Sequence, residues 1–267
     1  GASRMNYKVK NSLAPLGAEG ESLTVTLFGR VPIFHQTDRS LALRYGYNYR
    51  DLNDDITAFN LKGRKHTNSI YAGLVGMQRS PGFALDYSAN ETFGWLDFDS
   101  YYSAVLGAVN HINEGTYAKL EAEATAVQNL GHATDFLAKV SGQKASCNLD
   151  NSEEFYLGGP NGVRAYAQGE GSGDEGVLGT AELRWHTPVR GLTLSTFYDA
   201  GTVRVNKTAV GSHNRVTLHG WGVGAAYSEP GDWFARLDYA RRLGTDASVA
   251  PQNNARGRVW FQLGKIW

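Results

Sequence analysis

The sequence predicts an all-β chain, read as the wall of a transmembrane antiparallel β-barrel with about twelve strands. Three observations predict it. Apolar and polar residues alternate through long segments, Tyr and Trp gather near the ends of those segments, and the connections alternate between short and long. A soluble β-sandwich would share the alternation. Segments of roughly ten residues or more suit a tilted bilayer crossing better. Charges inside the polar face, such as Lys119, Glu121 and Glu123 or Arg236 and Asp238, suit a wet lumen.

The segments come in order. Tyr7-Lys8-Val9-Lys10 reads as a strand already under way, so the chain is expected to be a piece of a longer precursor. Leu23, Val25 and Leu27 alternate with Thr24, Thr26 and Phe28, and Leu41, Leu43, Tyr45, Tyr47 and Tyr49 with Ala42, Arg44, Gly46, Asn48 and Arg50. Ala118, Leu120, Ala122, Ala124 and Ala126 alternate with Lys119, Glu121, Glu123 and Thr125. Leu183 and Trp185, then Trp233, Ala235, Leu237 and Tyr239, then Val259, Phe261, Leu263 and Trp267 continue the pattern. A period of two marks a strand with one apolar face.

Short connections are expected at Val31 to Arg39, Arg79 to Gly82, Gln128 to Gly131, Thr187 to Gly191 and Glu229 to Asp232. Longer ones are expected at Asn11 to Glu21, Asp51 to Asn68, Asp97 to Gly115, Gly142 to Gly176, Asn206 to Arg215 and Gly244 to Arg256. Short periplasmic turns and longer outside loops are the barrel pattern. It places seven strands before the Gly-rich stretch Phe155 to Gly176 and five after it. Asp99 to Glu114 is the one stretch open to a helical reading, or else to two strand ends and a loop.

Composition closes off other classes. Lys+Arg and Asp+Glu are both 26, so the formal net charge is zero, and no basic excess points to nucleic acid. Mean hydropathy is −0.37 and no run of 18 apolar residues occurs, so no helix is expected to span a bilayer. The single cysteine, Cys147, has no intrachain partner. The seven histidines form no HExxH or other i, i+4 pair, and no metal site is expected. Gly169 to Gly176 lacks the GxxxxGK[ST] pattern, and Gly220 to Gly224 lies inside a strand, where glycine thins the wall for close packing. No GxSxG elbow or other catalytic constellation is present, so no enzyme or cofactor is expected. Asp54-Asp55 and Glu153-Glu154 fall in expected loops and read as solvated charge.

Arg164 stands apart. Val163-Arg164-Ala165-Tyr166 sets one arginine between bulky neighbours within the Gly-rich stretch. If this loop folds back into the barrel, its guanidinium leaves bulk water and needs an anion. Asp199 is a candidate, because Thr193, Ser195, Asp199 and Gly201 share the face opposite Leu192, Leu194, Tyr198 and Ala200. Pattern alone leaves a second reading open: an exposed loop arginine and a solvated lumen aspartate.

These residues closely resemble the outer-membrane transporters of two-partner secretion, the TpsB family of haemolysin and adhesin exporters. The resemblance is carried by Phe155, Leu157, Gly158, Gly159, Pro160, Val163, Arg164 and Tyr166, by Gly169, by Gly173-Asp174-Glu175-Gly176, and by Phe197, Asp199 and Gly201. Leu16-Gly17-Ala18-Glu19-Gly20 looks like another family segment. The resemblance implies a sixteen-stranded barrel whose sixth extracellular loop enters the lumen. It makes this chain the C-terminal part of the barrel, strands five to sixteen, without the first strands, the plug helix and the two POTRA domains. It also implies that Arg164 pairs with Asp199. The family's loop tip is usually VRGY, and Ala165 departs from it. The implied function is an outer-membrane pore that exports a large unfolded β-helical exoprotein without ATP. Its implied partners are that TpsA-type protein, outer-membrane lipid and the barrel-assembly machinery that inserts it. The alternatives are a barrel-assembly factor of the same superfamily, a passive porin, and a soluble all-β binding protein.

Overall fold

The computed structural model describes residues 1–8, 18–56, 58, 61–209, 214–229, 231–243 and 256–265. Val9, Lys10, Asn11, Leu16, Gly17, Gly244 and Trp267, named above, lie outside the described residues, as does His213 among the seven histidines.

Seven strands precede the Gly-rich loop: β1 (Ala2–Lys8), β2 (Ala18–His35), β3 (Arg39–Ile56), β4 (Leu61–Ser80), β5 (Phe83–Phe98), β6 (Gly115–Gly131) and β7 (Thr134–Ala145). Two short strands, β8 (Phe155–Tyr156) and β9 (Ser172–Gly173), pair only with each other inside the loop. Five strands follow: β10 (Glu175–His186), β11 (Leu192–Arg204), β12 (Arg215–Ser228), β13 (Trp233–Arg242) and β14 (Gly257–Lys265). All but β8 and β9 form one twelve-stranded antiparallel sheet in sequence order, with β7 beside β10. The expected seven-plus-five division is therefore observed.

Register separates the two faces. Residues directly opposite in an antiparallel ladder share a face. Ile70 lies opposite Phe93, Tyr198 opposite Trp221, and Leu237 opposite Phe261, and all six are exposed. Glu91, opposite Ala72, interrupts this outward apolar row. The other face carries Lys119, Thr180, Glu182, Asp199 and Asp238, and the loop packs on it. Apolar-out and polar-in is the reverse of a water-soluble sheet and is what a lipid-facing wall requires.

Several strands exceed the nine to eleven or so residues that cross a bilayer, with 18 in β3 and 20 in β4. This corrects one expectation. Asp51 to Asn68 is not a long loop, because β3 and β4 stay paired up to Ile56 and Leu61, and Asp54 and Asp55 sit in that ladder. Above the membrane both faces of a strand meet water, so no apolar period marks it. The connection expected at Val31 to Arg39 likewise shrinks to residues 36–38, since β2 runs to His35 with a register shift between Pro32 and Phe34.

The turn expected at Gln128 to Gly131 lies two residues later. His132 and Ala133 have φ of 52° and 58°, the two positive φ values of a tight hairpin, carried here without the usual Asn-Gly. By contrast, Pro81-Gly82 turns where expected, with Gly82 at φ 75°. Asp99 to Glu114 holds a helix, α1 (Tyr101–Val109), whose first turn is capped when Ser103 N–H donates to Ser100 Oγ at 3.2 Å.

A compact apolar core sits between the loop and the wall of β10 to β13. Leu157, Val163, Ala165 and Tyr166 of the loop pack on Leu178, Phe197, Val203, Leu218 and Ala240.

Candidate functional site

The Gly-rich loop runs from Ser146 to Asp174 and has a head and a root. The head is held together by its own backbone: Leu157 N–H donates to Gly171 O at 2.8 Å, Gly158 N–H to Glu170 O at 2.9 Å, and Val163 N–H to Leu157 O at 2.7 Å. Side chains at Gly158 and Gly162 would not fit, since a Cβ would stand 2.2 Å from Ala167 O and 1.9 Å from Leu157 O. Gly159 and Gly169 lie at φ 127° and 80°. Pro160 is exposed at the outer end of the head, while Val163 is fully buried.

The head delivers Arg164 to the inner face of the wall, where it is 4% exposed. Its Nε and Nη2 donate to Asp199 Oδ2 and Oδ1 at 2.8 and 2.9 Å, a two-point grip. Its backbone N–H donates to Asp199 Oδ2 at 3.2 Å, and Thr180 Oγ1 donates to Asp199 Oδ1 at 2.9 Å. Nη1 donates to Glu182 Oε2 at 3.1 Å, and Asp238 Oδ2 lies 3.7 Å away. The guanidinium carbon stands 3.2 Å from the centre of the Phe197 ring, and Trp260 Nε1 donates to Arg164 O at 2.7 Å. Burial disfavours the cation, but the Asp199, Glu182 and Asp238 carboxylates outweigh it and hold the Arg164 pKa above its ordinary value.

Two further arginines complete the charge balance. Arg184 donates to Glu182 at 2.8 Å and Arg236 to Asp238 at 2.8 Å. On the far side of the head, Arg242 donates to Glu170 at 3.1 Å and stacks over Tyr166, 4.3 Å from the ring centre. Tyr166 thus ties the head to Arg242 of β13.

The wall makes room for this seat with glycine. Gly220, Gly222 and Gly224 of β12 lie opposite Asp199, Phe197 and Ser195. A Cβ on Gly220 would stand 2.6 Å from Ala165 Cβ, one on Gly222 2.3 Å from the Phe197 ring, and one on Gly224 2.4 Å from Asp238 Oδ1. Gly201 similarly admits Leu157, whose Cδ2 would be 2.6 Å from an added Cβ. The departure from the usual motif glycine is accommodated: Ala165 is not among the positive-φ residues, and its methyl fills the space that Gly220 leaves.

The expected site residues therefore divide. Gly158, Gly159, Val163, Arg164, Tyr166, Phe197, Asp199 and Gly201 come together at the seat. Asp174 and Gly176 lie at the root instead, where Asp174 Oδ1 and Oδ2 accept from Leu149 N at 2.8 Å and Lys207 N at 2.6 Å. Glu153 departs from its expected state as a solvated loop charge. It is 6% exposed and ion-paired to Arg50 and Lys119 at 2.9 and 3.1 Å. Burial drives this change, since a carboxylate removed from water needs cations. Glu182, Arg184, Trp260, Arg242 and Glu170 were not singled out from the sequence. For the four on strands the polar period marks their face but not their partner, and Glu170, in the loop, has no period to mark it.

Comparison with known proteins follows the same outline. The family model described as haemolysin secretion/activation protein ShlB/FhaC/HecB matches residues 1–227. The heme/hemopexin transporter protein HuxB of Haemophilus influenzae is 25% identical over 274 residues, covering 100% of this chain and 48% of the relative. The HuxB of a second strain, ATCC 51907 / DSM 11121 / KW20 / Rd, is 26% identical over 279 residues at the same coverage. The chain thus spans about half the length of the curated relatives it matches. Among solved structures, CdiB from Escherichia coli superposes with a TM-score of 0.75 at 16% identity, over 98% of this chain and 48% of that one. CdiB from Acinetobacter baumannii gives 0.71 at 15% identity, over 98% and 46%.

Proposed function

The chain belongs to the ShlB/FhaC/HecB family of haemolysin secretion/activation proteins, and from that premise we propose that it is the C-terminal barrel portion of a two-partner secretion pore. The family places it in the bacterial outer membrane. The pore exports a large, unfolded, β-helical exoprotein of haemolysin or adhesin type, its TpsA-type partner. No nucleotide takes part, because the periplasm holds no ATP supply; folding of the cargo outside supplies the direction. Outer-membrane lipid covers the apolar face, and the barrel-assembly machinery inserts the wall.

One observation carries the reading. The loop lies on the polar face of a lipid-type wall, and a single buried arginine, gripped at two points by Asp199, holds it there. A seat built this way sets the conformation of the lumen. Val163, Arg164 and Tyr166 form the functional tip, Gly158, Gly159, Pro160 and Gly169 shape the head, Asp174 and Gly176 set its root, and Phe197, Asp199 and Gly201 anchor it.

The test is secretion by the full-length transporter carrying Arg164→Ala, Asp199→Ala or the swap Arg164→Asp/Asp199→Arg. Loss in the single variants with the barrel inserted, and partial return in the swap, is the expected result. Undiminished secretion by both single variants would reduce the stretch to a surface loop.

A further inference from the structure

The loop meets the wall a second time, at its root. Asp150 and Glu153 are 3% and 6% exposed. Arg50 on β3 donates to Glu153 Oε1 at 2.9 Å and to Ser152 O at 2.9 Å. Lys65 on β4 donates to Asp150 Oδ2 at 2.7 Å, and Lys119 on β6 lies 3.1 Å from Glu153 Oε2. Gln143 on β7 donates to Glu153 O at 2.9 Å and to Asp174 O at 3.1 Å, tying both arms of the loop together. Asn148 adds bonds to His111 O at 2.9 Å and from Thr208 N at 2.7 Å. The root therefore rests on β3, β4, β6 and β7, with Lys207 and Thr208 just past β11 also bonded to it, whereas the head rests on β10 to β13.

The two contacts differ in what their release leaves behind. When Arg164 withdraws, Glu182 keeps Arg184 and Arg236, and Asp238 keeps Arg236. Asp199 loses its cation and keeps Thr180, and with the head gone Arg242 loses Glu170. When the root withdraws, Arg50 and Lys65 lose the one acidic partner each has among the described residues, and Lys119 keeps only Glu121 at 3.5 Å. Release of the root parts three ion pairs spread over β3, β4 and β6 at once, whereas release of the head leaves Glu182 and Asp238 still paired on the wall. At the boundary of head and root lies Gly171, at φ 72°, next to the two-residue pairing of β8 and β9.

We propose that Asp150 and Glu153, with Arg50, Lys65 and Lys119, form a second anchor that keeps the root stationary on the β3–β6 side, so that only the head leaves its seat when the lumen opens. The inference rests on the reading of the chain as a pore. It makes Glu153 and Asp150 positioning residues for the loop.

The test uses the full-length transporter in lipid, with two readouts that involve no exported protein. Ion conductance across a planar bilayer reports the head. The rate of maleimide labelling at Cys147, scored by peptide mapping, reports the root, because Cys147 is half-buried against Tyr117, Ala145 and Leu149. Arg164→Ala should raise conductance and leave Cys147 labelling at the wild-type rate. Asp150→Asn/Glu153→Gln should speed Cys147 labelling several-fold, and the swap Arg50→Glu/Glu153→Arg should bring it back toward wild type. Faster Cys147 labelling in Arg164→Ala, to the level of the root variant, would mean the loop leaves whole and would overturn the proposal. So would wild-type labelling in the root variant. If the neutralised variant fails to insert, the swap decides alone: an inserted swap that shields Cys147 supports the anchor, and one that exposes it refutes it. A failed secretion assay beside these results would indict the cargo reading and not the anchor.

Discussion

Asp199 holds Arg164 through both carboxylate oxygens, at 2.8 and 2.9 Å, while Thr180 donates to one of the same oxygens at 2.9 Å. Every polar atom of the pair is thus spoken for in a site almost closed to water. Arg164→Ala should unseat the head, since removing one partner of a buried pair costs about 3–5 kcal/mol. Arg164→Lys should recover little of this, because an ammonium cannot reproduce the planar two-point grip or the stacking on Phe197. Protease accessibility of the loop in the inserted barrel checks both, with Lys expected close to Ala.

Ala165 and Gly220 should behave as a matched pair. Gly220→Ala alone sets two methyl carbons 2.6 Å apart and should loosen the head by about 1–3 kcal/mol. Adding Ala165→Gly removes the contact with the loop and leaves the 2.8 Å approach to Arg241 O, so it should restore part of the secretion and protease resistance. Additive damage in the double variant would show that the two positions do not share the space.

Gly222→Ala should be more severe than Gly220→Ala. Its Cβ meets both the Phe197 ring and Tyr239 O at 2.3 Å, and the backbone contact cannot rotate away. Secretion should fall to the level of Arg164→Ala while heat-modifiable mobility of the barrel persists.

The assignment of faces is testable by charge. Leu237 is exposed on the outer face opposite Phe261, so Leu237→Arg should destabilise the barrel by about 2–4 kcal/mol if it sits near the bilayer midplane. Arg236, one residue earlier and on the inner face, has a side chain 36% exposed, so Lys should keep the pairing with Asp238 at little loss of stability. Unfolding in lipid vesicles against denaturant measures the difference.

The root should respond to acid. Burial pushes the Asp174 carboxyl up, against the lowering pull of the Leu149 and Lys207 amides, and burial likewise raises Glu154. A carboxyl with a raised folded pKa binds its proton more tightly folded than unfolded. Its contribution is complete below the ordinary carboxylate range and is lost as pH rises through the raised value. The urea midpoint for exposing Cys147 should therefore fall as pH rises upward from the ordinary carboxylate range. Asp174→Asn should shrink that fall.

The wall was legible from its outward rows. Leu237, Tyr239, Phe261 and their like lie exposed on the outer face of the sheet, so the period of two survives without any knowledge of neighbours. The period disappears where strands rise past the membrane, which is why Asp51 to Asn68 read as loop although it is paired. Arg164 and Asp199 were legible as a possibility, because alternation gave Asp199 its face. Their union depended on the path of a loop that alternation does not describe. The root was illegible for a stronger reason: Glu153 finds Arg50 across 103 residues, and nothing local distinguishes a buried glutamate from a solvated one.

The glycines of β12 have one further consequence. Along this strip the floor has no rotamers to rearrange, so in the proposed opening the head would lift from β12 without that strand repacking beneath it. Friction between loop and barrel is then confined to the contacts the head itself makes, and the wall can stay rigid in lipid while its inner lining moves.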